Sequence, residues 1–116
     1  MRSRSAADDR GGVAAEFAVA LPAVVLVLGL CVGAVGVGSQ HVRLQDAAAD
    51  AARGLGRGES AGQVTARAAA AFPGVRLRSW TGGDLVCARL TAAARGPAAV
   101  AGLELAAESC AVDGGR

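Results

Sequence analysis

An uninterrupted apolar segment limits what this chain can fold into. From Phe17 to Gly38 there are 22 consecutive positions without a charged or strongly polar side chain. As an α-helix this segment would be roughly 33 Å long, which is enough to cross the hydrocarbon core of a bilayer. A compact domain of 116 residues cannot bury such a helix on all sides. The segment therefore predicts a membrane-spanning helix.

The rest of the chain is short of bulky apolar side chains. The sequence is 53 % hydrophobic, but it contains only two Phe, one Trp and no Tyr. Burying a Leu or Phe contributes about 1.5–3 kcal/mol, whereas an Ala contributes much less. The composition therefore argues against an ordinary soluble enzyme. The net charge of +2 gives no electrostatic case for a nucleic-acid or membrane-surface protein.

Polar residues flank the apolar segment on both sides. Residues 1–11 are short and polar, and we expect them to be unstructured; their arginines favour a cytoplasmic N-terminus. On the other side we expect the helix to continue, so that a single helix runs from Val13 to about Arg53. An apolar face would consist of Leu44, Ala48, Ala51 and Leu55 and a charged face of Arg43, Asp46, Asp50, Arg53 and Arg57, with Gly54, Gly56 and Gly58 ending the helix.

A second helix and a hairpin follow. Ser60 and Gln63 are spaced as in a capping box, and Val64, Ala68 and Ala71 form an apolar stripe that ends before Pro73. Two short alternating runs, VRLRSW and LVCARL, then flank Gly82-Gly83, which predicts a hairpin with a two-residue loop. Thr81 would face Asp84, Ser79 would face Val86, Leu77 would face Ala88 and Val75 would face Leu90, which leaves Trp80, Arg78 and Arg76 opposite Leu85, Cys87 and Arg89.

The last run, LELAAESC, alternates in the same way, with Leu103, Leu105 and Ala107 on its apolar face. Antiparallel pairing that brings Cys110 opposite Cys87 also brings Glu108 opposite Arg89 and keeps the apolar face continuous. The same two cysteines could be unrelated thiols or half of a metal site. A zinc site needs four ligands, and His41 is the single histidine. We therefore predict a Cys87–Cys110 disulfide, no metal and no cofactor, with Cys31 as an apolar residue of the membrane segment.

The most informative stretch is RGGVAAEFAVALP, residues 10–22. A carboxylate at the start of a spanning helix is costly, so Glu16 is a functional candidate by default. Cleavage after Gly11 would make Gly12 the first residue of the mature chain. Glu16 could then pair with the Gly12 ammonium of a neighbouring subunit, an attraction that becomes strong only when both groups leave water.

These residues resemble the class III signal of type IV prepilins, in the form found in TadE-like proteins, which are minor pilins or pseudopilins of the tight-adherence (Tad/Flp) pilus system. The resemblance implies cleavage at Gly11–Gly12 by a membrane-embedded prepilin peptidase. It also implies assembly through Glu16, Phe17 and Pro22 with other pilin subunits, a pilus ATPase and inner-membrane platform proteins. Asp8 and Asp9 depart from the usually basic prepilin leader.

Together these observations predict an α+β fold with a pilin-like long N-terminal transmembrane helix, a short helix and a small antiparallel three-stranded sheet. The expected divisions are a leader over 1–11, a transmembrane helix over 12–38, an extracytoplasmic helical continuation with a Gly-rich linker over 39–58, and a small α+β head over 59–116. We expect a single-pass membrane protein with an extracytoplasmic C-terminus, embedded in lipid or in an extracellular pilus. It would have no small-molecule substrate.

Three other readings stay open. An ordinary signal peptide cut before Ser39 would release a small disulfide-bonded domain, although it would leave Glu16 unexplained. A plain membrane-anchored protein would keep Met1. Arg76, Arg78 and Trp80 share a strand face, a combination suited to single-stranded nucleic acid, although ion pairs with Glu104 and Glu108 explain the same residues. No catalytic set can be assembled around His41, so we expect no enzymatic activity.

Overall fold

The computed structural model describes the backbone of residues 6–114 and the side chains of residues 11–114. It has the predicted α+β fold, in which a long apolar helix is followed by a short helix and an antiparallel sheet of three strands. One further helical turn, α3, joins the last two strands. In chain order the elements are α1 (Ala6–Gly56), α2 (Ala61–Ala71), β1 (Arg76–Gly82), β2 (Leu85–Ala93), α3 (Pro97–Val100) and β3 (Glu104–Val112).

Helix α1 has 51 residues and is longer than predicted at both ends. It begins at Ala6, so the expectation of an unstructured segment over residues 1–11 is wrong from Ala6 onward; residues 1–5 lie outside the described residues. Residues 6–10 contain neither Pro nor Gly, and extending an existing helix adds one hydrogen bond per residue. The helix therefore includes residues 6–10.

The described chain divides into two compact units between Ala34 and Val35. In the C-terminal unit, which we define as the part from Val35 onward, α1 supplies one wall of the core. Leu44, Ala48 and Ala51 are buried, as the predicted apolar face requires. The charged face is exposed, and Arg53 forms an ion pair with Asp50 at 2.8 Å. Exposed pairs of this kind add little to stability, so the buried face accounts for the packing of α1.

Helix α2 begins with the predicted capping box. The Gln63 backbone N–H donates to Ser60 Oγ at 3.2 Å, and the Ser60 N–H donates to the Gln63 side chain at 3.1 Å. Val64 and Ala68 are buried, but Ala71 is exposed, so the prediction for that residue is wrong. The helix ends at Ala71, and the next residue, Phe72, fills the core position instead.

The sheet has the order β1-β2-β3, with both pairs antiparallel. The predicted register between β2 and β3 is confirmed: Cys87 lies opposite Cys110, and Arg89 lies opposite Glu108. Cys87 and Cys110 form a disulfide, with their Cα atoms 4.0 Å apart. A small sheet whose inner face is rich in alanine gains a covalent link between two of its strands.

The predicted register between β1 and β2 is wrong by two residues. The loop consists of Gly83 and Asp84, so that Leu77 lies opposite Leu90 and Trp80 lies opposite Cys87. The other pairs are Ser79 with Ala88, Thr81 with Val86, Arg78 with Arg89 and Arg76 with Thr91. Val75 precedes the strand. Gly83 has a φ of +60°, which suits the first central position of a type II′ turn.

This slip by two residues keeps every side chain on its predicted face of the sheet, because side chains alternate with a period of two. It also brings Leu77 opposite a larger apolar partner, Leu90 in place of Ala88. Leu77 packs against both core clusters, one built around Leu44 and Leu90 and the other around Val64 and Ala88. The structure therefore favours the register with the greater apolar contact.

Two close contacts join the end of α1 to the rest of the C-terminal unit. A Cβ atom added at Gly56 would lie 2.7 Å from the Val112 carbonyl oxygen, and the Gly114 N–H donates to the Gly56 carbonyl.

Glu59, just beyond the helix, accepts hydrogen bonds from Arg57 and Arg67. Hydrogen bonds from Arg57 and then Arg67 hold the pKa of the Glu59 carboxyl below its usual value.

We predict that Gly56→Ala destabilises the C-terminal unit by about 1–3 kcal/mol, because the methyl group would overlap the carbonyl oxygen of Val112. Gly62→Ala is the matched control, since Gly62 lies in α2 with its nearest atom 4.0 Å from an added Cβ. It should stabilise the protein by up to about 1 kcal/mol. Urea unfolding of the full chain in detergent micelles measures both effects. Equal stabilities of the two variants would contradict the assigned contact.

We also predict that the double substitution Cys87→Ala with Cys110→Ala lowers the free energy of unfolding by about 3 kcal/mol. The disulfide closes a loop with a sequence separation of 23, and a loop of that size removes roughly this much entropy from the unfolded chain. Cys31→Ser is the control, because Cys31 is exposed and unbonded. Thermal unfolding with and without reductant measures the difference. An unchanged transition after reduction would rule out the stabilising role.

Candidate functional site

The predicted N-terminal motif lies on one continuous stretch of α1. Gly11 and Gly12 are helical, and an added Cβ would meet no atom within 4 Å at either position. Glu16 is exposed, and Phe17 is 65 % exposed. The motif therefore presents its side chains outward, and the described residues of the chain do not cover them.

Helical geometry places Gly12 and Glu16 on the same side of α1, because they are four residues apart. Phe17 follows Glu16 directly, so an aromatic ring and a carboxylate lie next to each other on the surface of the helix. Pro22 lies inside the helix, which continues through it to Gly56. Proline has no N–H to donate, so one backbone hydrogen bond of the helix is missing there.

The apolar segment after the motif is unburied. The described helix from Gly11 to Gly56 contains an 18-residue window with a mean hydropathy of 2.7, and none of that window is buried. Its length and composition would let it cross a membrane, and a signal sequence near an N-terminus has the same properties. The large apolar residues over 13–35 are more than half exposed, which in water would be strongly unfavourable. A surface of this kind fits a membrane-anchored chain.

The second group of candidate residues lies on the outer face of the sheet. Arg76, Arg78 and Trp80 alternate along β1, and all three are exposed, Trp80 to 39 %. Arg76 Nη2 donates to both carboxylate oxygens of Glu104, at 2.8 and 2.9 Å. This is one of the two ion pairs expected for the face, and it links the two edge strands across β2.

The other two candidates line an open depression. Arg78, Arg89 and Glu108 form one row across the three strands, and Trp80 completes the lining. The ion pairs formed by the described residues include neither Arg78 nor Arg89. The predicted contact between Arg76 and Arg89 is wrong, because the shifted register puts Arg78 beside Arg89 instead. The two positive charges thus lie beside the single carboxylate of Glu108.

His41 is exposed on α1, where no catalytic partner was expected from the sequence. Within the described part of the chain, no group of three or more His, Cys, Asp or Glu side chains could hold a metal ion. The geometry of these residues offers surfaces for binding and packing.

Sequence reasoning missed Gln40, which is 8 % exposed and ties α1 to the end of β2. Its side-chain amide donates to the Ala93 carbonyl at 2.9 Å and accepts from the Arg95 N–H at 2.9 Å. The available signal was helical spacing, because Gln40 precedes Leu44 and Ala48 at intervals of four on the buried face. A glutamine is not expected on a buried face, because its side-chain amide is buried only where it forms hydrogen bonds. The two partners of Gln40, Ala93 and Arg95, are distant in the sequence.

Comparison with known proteins gives one match. The family model described as TadE-like protein matches residues 11–53. No curated protein and no solved structure matches the chain. The matched residues contain the motif from Gly11 onward, the apolar segment and most of the part of α1 that packs on the sheet.

The TadE-like family is a structural, non-enzymatic kind of protein associated with Tad pili. The match agrees with the resemblance drawn from residues 10–22, and it extends that resemblance to Arg53. Over residues 11–53, this chain is similar to the TadE-like family.

Proposed function

We propose that this chain is a non-enzymatic minor pilin, or pseudopilin, that a prepilin peptidase cuts after Gly11. Its N-terminal helix then assembles with other subunits into a Tad-type pilus or secretion apparatus. The observation that carries the proposal is the unburied apolar surface of α1 together with the Gly11-Gly12…Glu16 motif at its start. A helix of this kind gains free energy by packing in lipid or against neighbouring helices.

The proposal assigns a role to each part of the chain. Residues 1–11 are the leader, residues 12–38 span the membrane with the N-terminus in the cytoplasm, and residues 39–58 continue the helix outside. Residues 59–116 form an extracytoplasmic head, stabilised by the Cys87–Cys110 disulfide. Such a bond is consistent with an oxidising exterior.

We propose that the Glu16 carboxylate makes the assembled state of the subunit more favourable than the isolated state. Cleavage after Gly11 creates an ammonium group at Gly12, one helical turn from Glu16 of the same chain and at a similar depth to Glu16 of a parallel neighbour. A buried carboxylate without a partner is costly, whereas a paired one is tolerated. Lateral packing of parallel helices brings the pair together, so the charge opposes the isolated inserted helix and favours the assembly.

The same proposal names the partners by their roles: the peptidase, the other pilin subunits, the pilus ATPase with its platform proteins, and membrane lipid. Nucleic acid is not proposed as a ligand. Arg76 is bound to Glu104, and Glu108 lies beside the two remaining arginines of the sheet face, so the electrostatic attraction for a polyanion is small.

Cleavage is tested by the N-terminal mass of the protein recovered from its native membrane. We expect a mature chain that begins at Gly12, and we expect Gly11→Leu to retain the leader, because a bulky side chain next to the scissile bond would obstruct the peptidase. Cys31→Ser is a control remote from the bond. A native N-terminus at Ser39 would instead show an ordinary signal peptide, and one at Met1 a plain anchored protein.

Assembly is tested by substituting Glu16. Glu16→Gln removes the charge and keeps the size, so we expect normal cleavage, a stable membrane level and loss of most of the protein from sheared pili or purified assemblies. Glu16→Asp keeps a carboxylate and should retain more assembly than Glu16→Gln. Immunoblots of membrane and assembled fractions measure both. Wild-type incorporation of Glu16→Gln would refute the role of the carboxylate.

A further inference from the structure

The direction of β2 relative to α1 determines which loops lie at each end of the C-terminal unit. Val86 lies near Gly56, whereas Ala93 accepts a hydrogen bond from Gln40. From Gln40 to Gly56 the helix rises about 24 Å, and from Val86 to Ala93 the strand covers about 24 Å. The strand therefore runs along the helix in the opposite direction and leaves the sheet at the level of Gln40.

The connection that begins at this level is an apolar tip, which we define as residues 96–103. Its sequence, GPAAVAGL, contains no charged residue. Val100 is 92 % exposed and Leu103 is 51 % exposed, although Leu103 was expected on the buried face of the sheet. The tip is held in shape by its own backbone hydrogen bonds, from Ala99 to Gly96 and from Leu103 to Ala98, and by one from Ala94 to Leu103 at its base.

The opposite end of the unit mixes charged residues with the exposed apolar pair Leu85 and Val112, which are 44 % and 64 % exposed. There the β1–β2 loop carries Asp84, and the chain leaves β3 through Asp113, whose N–H donates to the Asp84 carbonyl.

Two exposed cations lie near Gln40. Arg43 lies on α1 three residues after Gln40, and Arg95 lies at the base of the tip, where one nitrogen of its guanidinium donates to the Ala71 carbonyl at 2.6 Å. Apolar side chains with flanking cations suit the interface of a bilayer, where the former enter the acyl region and the latter meet anionic headgroups.

We propose that the apolar tip is a second membrane contact, in which Val100 and Leu103 insert into the lipid surface. The inference rests on the proposed membrane span of residues 17–38. Gly38 ends that apolar segment, and Gln40, two residues later, binds the base of the tip through both atoms of its amide. The lipid surface that α1 leaves at Gly38 is therefore at the level where the tip begins. Contact at two points orients the C-terminal unit on the membrane.

The test is depth-dependent quenching of tryptophan fluorescence. The full chain carries Trp80→Phe and one new tryptophan at Val100, Val27 or Asp84, all of which are exposed. Each variant is reconstituted in phosphatidylcholine–phosphatidylglycerol vesicles that contain lipids brominated along the acyl chain. We expect a blue-shifted emission and a loss of fluorescence for Val100→Trp with shallow bromines and for Val27→Trp with deep ones. Asp84→Trp should lose none.

The outcomes test the tip contact and the membrane span separately. Quenching of Val27→Trp without quenching of Val100→Trp would overturn the tip contact and leave the span intact. A blue shift of Val100→Trp without quenching would also overturn the tip contact, because protein and not lipid would then cover the tip. Quenching of all three variants would overturn a contact specific to the tip. No quenching of Val27→Trp would overturn the span and with it the proposed function.

A second measurement tests the tip contact without the Trp80→Phe substitution, in case that variant does not fold. A nitroxide on Val100→Cys in a Cys31→Ser chain, with the disulfide intact, should show greater accessibility to oxygen than to a water-soluble nickel complex. Asp84→Cys should show the reverse. Equal accessibilities at both sites would overturn the contact.

Discussion

The C-terminal unit depends on close packing between α1 and the inner face of the sheet. Small residues make this approach possible, because Ala48, Ala51 and Ala52 are buried where larger side chains would hold the helix away. At Gly56 the approach is so close that an added methyl group would overlap the Val112 carbonyl. Leu44 and Leu90, both fully buried, supply much of the bulk that this alanine-rich core contains. A core with so little bulk gains stability from covalent and polar links, which is the role we assign to the disulfide and to Gln40.

Helix α1 carries two different patterns of apolar residues. Its buried face from Gln40 onward is a stripe at intervals of four, whereas the segment before Ser39 is apolar on all sides and unburied. A continuous helix carries both patterns. This arrangement suits a subunit that assembles through its helix and displays a small folded unit, and the TadE-like match covers these two parts of the helix together.

Much of the fold followed from local patterns. The capping box at Ser60, the apolar face at Leu44 and the alternation in three strands each appear within a few residues, and the pairing of Cys87 with Cys110 followed from matching charge, apolar face and thiols in one register. The β1–β2 register was wrong because consecutive glycines at 82 and 83 allow either loop, and the choice depends on the distant contacts of Leu77 with α1 and α2. Ala71 and Leu103 were misplaced for a related reason, since each lies at the end of an element where local periodicity no longer determines burial.

The sequence by itself determined the membrane-length helix, the prepilin-like motif around Glu16 and the α+β class, because these depend on composition and short spacing. Only the tertiary structure decided that Gln40 is a buried link and that the 96–103 tip is exposed at the level of Gln40. Those features depend on the run of β2 along α1, which brings together residues more than fifty positions apart. Contacts over such separations arise from packing of the whole unit, and no local pattern in the sequence specifies them.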